Sequence, residues 1–143
     1  MNTLKRLMVP MALLSVLCAI PSKAQIANPL QFEAPSAFYV GNAKMPAGSY
    51  SVSQPDPDTN LLLIEDASSS HSAFVEYDLA SSETPHTDND VTFNKYGKID
   101  FLSSIWVEGQ KSEMQILPSK FEQNTAKTAA AEKHSLSAKS TAH

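Results

Sequence analysis

The sequence predicts an all-β domain, an antiparallel sandwich or small barrel of about seven or eight short strands with a short C-terminal helix and disordered tail. Three observations carry this expectation. Short stretches alternate apolar with polar residues, the period-2 signature of half-buried strands. Turn clusters of Pro, Gly, Asn and Asp recur at roughly ten-residue spacing, as in sandwiches and barrels. No stretch before Pro118, outside the apolar N-terminus, supports a helix of three turns, which excludes a parallel α/β architecture.

The N-terminus precedes any strand. Lys5-Arg6 is followed by apolar Leu7 to Ile20 and then by Pro21-Ser22-Lys23-Ala24, the order of a secretory signal peptide. The apolar run is 14 residues, short of the roughly 20 that a spanning helix needs. Residues 1–24 are therefore expected to be cleaved before Gln25, leaving a periplasmic or extracellular protein with no membrane attachment. Cys18 follows Leu17, whereas a lipid-modified Cys follows a small residue, so Cys18 leaves with the peptide. The remaining 119 residues contain no Cys and no Arg. Disulfides, thiol catalysis and Cys-ligated zinc are excluded together.

Residues 25–118 then form the β-domain. Gln31 to Glu33 and Ala37 to Val40 are short runs split by Pro35, and Gly41-Asn42 and Met45-Pro46-Ala47-Gly48 mark turns. Tyr50 and Val52 alternate with serines. Pro55 to Asn60 is a turn, and Leu61 to Ile64 fits a strand buried on both faces. Ala73, Val75, Tyr77 and Leu79 share one face of the next strand. Val91 and Phe93 lead through the turn Tyr96-Gly97-Lys98 into Ile99 to Val107, a strand with apolar residues on both faces and therefore central. On strict alternation, Phe101, Ser103 and Ile105 share one face and Leu102, Ser104 and Trp106 the other. Met114 to Leu117 is the last strand. Beyond Pro118 the pattern changes. Ser119 and Glu122 have capping-box spacing, and residues 119–133 read as a marginal helix with Phe121 its only large apolar residue. Residues 134–143 read as a disordered tail.

Charge narrows the function classes. Residues 25–118 carry four Lys against 13 Asp and Glu, and residues 119–143 four Lys against two Glu. With no basic cluster to neutralise phosphates, nucleic-acid binding is excluded. Asp56, Asp58 and Asn60 have the opening spacing of a calcium loop, but Leu61 and Ala67 stand where that loop needs Gly and Glu. Asp88 and Asp90 form a second acidic cluster. These five are weak metal candidates; no metal, cofactor or catalytic residue is assigned. No Gly-x-Ser-x-Gly elbow, zinc-binding His pair or Gly-rich phosphate loop is present.

Two stretches are distinctive together. One is Phe38-Tyr39-Val40-Gly41 with Met45-Pro46-Ala47-Gly48-Ser49-Tyr50; the other is Tyr96-Gly97 with Phe101-Leu102 and Ile105-Trp106. With Ser119 and Glu122, they resemble a family of small secreted bacterial β-proteins with no assigned activity. The resemblance covers residues 30–125 and implies a fold class and a compartment, without any functional residue. This sequence departs from it in lacking Arg after cleavage and in its longer tail. The expected role is non-catalytic, a binding or structural part in the cell envelope with an envelope or extracellular partner. The alternatives are a small barrel carrying an apolar ligand, or a hydrolase built on His71 or His86 with nearby acids.

Overall fold

A computed structural model describes residues 25–141 of the chain. The signal peptide expected over residues 1–24 lies outside the described residues. The strands are β1 (Leu30–Ala34), β2 (Phe38–Val40), β3 (Ala43–Met45), β4 (Gly48–Ser53), β5 (Leu61–Asp66), β6 (Ser72–Ser81), β7 (Asp90–Tyr96), β8 (Ile99–Trp106) and β9 (Ser112–Ile116). The helix α1 (Lys120–Ala126) follows, then β10 (Ala131–Ser137) and β11 (Lys139–Ser140). The protein is all-β with a short C-terminal helix.

The strands form a single sheet in the order β10-β7-β8-β9-β6-β5-β4-β1-β11, with the β2–β3 hairpin attached to β8. It is not closed into a barrel. One pairing, Tyr39 of β2 with Phe101 of β8, is parallel, so the sheet is mixed rather than purely antiparallel. β6 turns the sheet over on itself. Its first half pairs with β5 from Glu65↔Ser72 to Leu61↔Glu76, and its second half pairs with β9 from Tyr77↔Ile116 to Ser81↔Ser112. The two halves enclose a core centred on Phe38, whose ring lies 4.9 Å from Tyr50 and 5.4 Å from Phe93. Such edge-on aromatic contacts give a small core a large apolar area.

Eight of the eleven strands coincide with runs the sequence marks out; β3, β10 and β11 do not. The helix ends at Ala126 rather than reaching 133, and of the tail expected to be disordered over 134–143, His134 to Ser137 and Lys139–Ser140 are strand, while residues 142–143 lie outside the described residues. The reason is tertiary. Ala131–Ser137 has few apolar side chains, but β7 would otherwise present an unpaired edge, and pairing from Ala131↔Tyr96 to Ser137↔Asp90 satisfies it. His134 also stacks on Phe93 at 5.3 Å.

A second correction concerns the phase of β8. Thr92 pairs with Ser104 and Phe93 with Leu102, so Ser103 is the extra residue of a β-bulge. The bulge turns both Leu102 and Ile105 into the core. Phe101 joins a separate cluster, 5.4 Å from Tyr39 and 5.3 Å from Phe121 of α1. Strict alternation assigns these residues to the wrong faces.

Candidate functional site

The helix α1 begins where the chain leaves the end of β9. Ser119 is its N-cap, and its Oγ accepts from the Glu122 N–H at 3.1 Å. This is one half of the capping box. The other half would return the Glu122 carboxylate to the Ser119 N–H, but the carboxylate is engaged by the sheet instead. Asn94 Nδ2 donates to its Oε1 at 3.3 Å and the Tyr96 hydroxyl at 3.4 Å. Glu122 is 5 % exposed. Burial pushes its carboxyl pKa above the usual carboxylate value, although both hydrogen bonds pull the other way. Burial likewise raises the Tyr96 phenol, helped by the neighbouring Glu122 charge.

Below α1 the sheet presents a polar row on the face turned away from the core. Asp78 pairs with Gln115, Gln115 with Ser104, Ser104 with Thr92 and Thr92 with Ser135, so the row crosses β6, β9, β8, β7 and β10. A cleft of about 240 Å³ lies over part of this row, lined by Asn94, Ser104, Gln115, Glu122 and Lys133 among others. Two atoms there stand out. Ser104 is 2 % exposed, yet its Oγ has no hydrogen-bond partner among the described residues, and Asn94 Oδ1 is likewise buried and unpartnered among them. Buried polar atoms are nearly always hydrogen-bonded, so each unpartnered one needs a reason.

A larger groove of about 720 Å³ crosses β1, β4 and β5. Glu33, Glu65 and Asp66 line it with Lys139. Glu33 is already hydrogen-bonded by Ser49, and Asp66 by His71 Nδ1 at 2.9 Å and the Ser70 N–H at 2.8 Å. The His71 contact, ahead of the Ser70 and Ser68 bonds, holds the Asp66 carboxyl below its ordinary value. Glu33 and Asp66 are therefore already engaged by neighbouring groups within this groove.

The sequence-suggested metal candidates are placed elsewhere. Asp56, Asp58 and Asn60 lie in the β4–β5 loop, where Asp56 Oδ1 accepts from the Asp58 N–H at 2.9 Å and the Asp56 carbonyl accepts from Thr59. That is an Asx turn, with Asp56 Oδ1 and the Asp56 carbonyl spent on the loop itself. Asp88 accepts from the Thr87 hydroxyl, and Asp90 Oδ2 meets His86 Nε2 at 2.7 Å. Among the described residues no three His, Cys, Asp or Glu side chains come together as a metal would require.

The histidines share one arrangement. His71 pairs with Asp66, His86 with Asp90, and His134 with buried Asp100 at 2.9 Å. A serine-type nucleophile needs its hydroxyl on the imidazole. Among the described residues no Ser or Thr hydroxyl is hydrogen-bonded to any of these three rings. Ser36 approaches the His134 pair from the acid side, donating to Asp100 Oδ2 at 3.5 Å.

Sequence reasoning reached Glu122 as a helix cap and did not place Asn94 or Ser104 in a site. The available signal was Ser104 itself, a polar residue within a largely apolar strand. Comparison with known protein families, curated proteins and solved structures finds no match to this chain.

Proposed function

We propose that the chain is an exported, non-catalytic binding domain of the cell envelope whose cleft under α1 takes a small hydroxyl-bearing molecule, of the size of one sugar ring or polyol. The single observation that carries this is the buried hydroxyl of Ser104, unpartnered among the described residues, in a residue that lines the cleft. Leaving such a group unsatisfied costs about 1–3 kcal/mol, which a ligand hydroxyl would recover. Asn94 Oδ1 adds an acceptor, Lys133 a donor, and the Glu122 carboxyl accepts or, when protonated, donates. A hydroxyl group both donates and accepts, and so matches this mixed set.

Size points the same way. At roughly 30 Å³ of liquid volume per water, the cleft equals about eight waters, and drug-sized ligands occupy sites upward of about 300 Å³. The interior between the sheet halves holds Phe32, Phe38, Tyr50 and Phe93 packed ring to ring, which favours a polar ligand outside over an apolar one within. Export rests on the basic, apolar and small-residue order of residues 1–24.

Saturation-transfer NMR and calorimetry with a panel of monosaccharides and polyols test the reading. The expected result is saturable binding of at least one member, lost in Ser104→Ala while the fold is kept. Binding that is the same in Ser104→Ala, or absent across the panel, would overturn it.

A further inference from the structure

The sheet contains a second opening, formed where β9 ends. β6 pairs with β9 only from Tyr77 onward, so among the described residues the outer edge of Ser72–Glu76 has no strand beside it. Hydrogen bonds fix which groups face that edge. The Tyr77 N–H donates to Asn60 and the His71 carbonyl accepts from Asp66, so the odd-numbered residues address β5. The Glu76 carbonyl accepts from the Leu117 N–H at 3.3 Å, so the even-numbered residues address the other side. In an antiparallel ladder this alternation is obligatory. The N–H and C=O groups of Ser72 and Phe74 therefore point into the opening, which has the form of a groove of about 470 Å³. Its opposite wall is the tip of the β2–β3 hairpin, and β3 pairs with β2 alone. Phe74, 65 % exposed, and Leu117, 43 % exposed, line the same groove.

We infer that this slot is a strand-addition site that binds an extended, lysine- or arginine-bearing segment of a partner protein beside Ser72–Glu76. Evenly spaced main-chain donors and acceptors along one edge are matched in register only by another extended polypeptide. Phe74 and Leu117 supply apolar cover for that segment's side chains. The charge preference follows from Glu76 in the groove wall and from the excess of 13 acids over four lysines across residues 25–118. This site is separate from the cleft under α1 and does not depend on a ligand there.

Amide hydrogen exchange tests it, read by NMR on the whole described chain with a short synthetic peptide alternating lysine and valine. Exchange at the Ser72, Phe74 and Glu76 amides should slow by at least about tenfold at saturating peptide. Phe74→Pro should abolish the effect. It removes one edge donor but no β5 ladder bond, which proline tolerates on an edge. Phe74→Ala keeps the donor and should retain weakened protection, with both variants melting as cooperatively as wild type. Absence of protection at these amides, or equal binding by Phe74→Pro, would overturn the inference. Protection that appears without peptide and grows with protein concentration would also overturn it, by making a second copy the occupant.

Discussion

Ser104 and Glu122 show how single residues can be placed against stability. The Ser104 hydroxyl is buried without a protein partner, so Ser104→Ala removes a desolvated group and no hydrogen bond. The expected outcome in urea unfolding is a gain of about 1 kcal/mol, the reverse of a typical core substitution. A loss of stability would mean that the hydroxyl is satisfied in the folded chain. Glu122 acts through pH. Its folded-state carboxyl holds a proton to higher pH than the ordinary value of 4.5. Above that value, up to the raised pKa, the folded state binds more protons than the unfolded one, and stability falls as pH rises. Glu122→Gln keeps the acceptor for Asn94 and Tyr96 and cannot ionise. Its melting temperature should match wild type near pH 4 and exceed it near pH 7. A difference that does not change with pH would disprove this account of Glu122.

At the level of elements, the C-terminal segment is the instructive case. A chain ended at Ala130 lacks β10 and β11 and uncovers the edge of β7. Its melting temperature should fall by about 10 °C or more, with light scattering reporting association through the bared edge. An unchanged transition would mean that β10 contributes nothing. This segment also marks how far sequence reads into structure. The runs around Tyr50, Leu62, Val75, Phe93 and Ile105 were legible because each buries a face and so must alternate or run apolar. The β7–β8 turn was legible because Gly97 adopts the positive φ of 63° that such a turn needs. β10 was not legible, because its strand state comes from the partner it completes and not from its own composition. The cleft was hidden for a related reason. A bulge at Ser103 sets which β8 side chains share a face, and one-dimensional alternation does not register an inserted residue.

Across the molecule, charge is held with little attractive pairing among the described residues. The ion pairs among the described residues are His–Asp contacts, and no described Lys lies within salt-bridge distance of an acid. Residues 25–141 carry eight Lys against 15 Asp and Glu, a net charge of −7, so repulsion outweighs attraction. Raising salt from about 10 mM to about 150 mM shortens the screening length from about 30 Å to about 8 Å and should raise the melting temperature. A fall would show that attractive pairs dominate.

The last strands also govern timing. β10 and β11 are adjacent in the chain, divided by Ala138, yet they pair with opposite ends of the sheet, β7 and β1. The Thr141 N–H reaches back to the Pro29 carbonyl at 3.0 Å. The first strand pairs with β4 on one side, but its other edge is covered only by β11. A chain that emerges N-terminus first, from a ribosome or through a translocation pore, has no way to finish this sheet until residue 141 has cleared the exit. Contacts between such distant parts of a chain form slowly. Joining the two ends of the sheet is therefore the late, slow part of this fold.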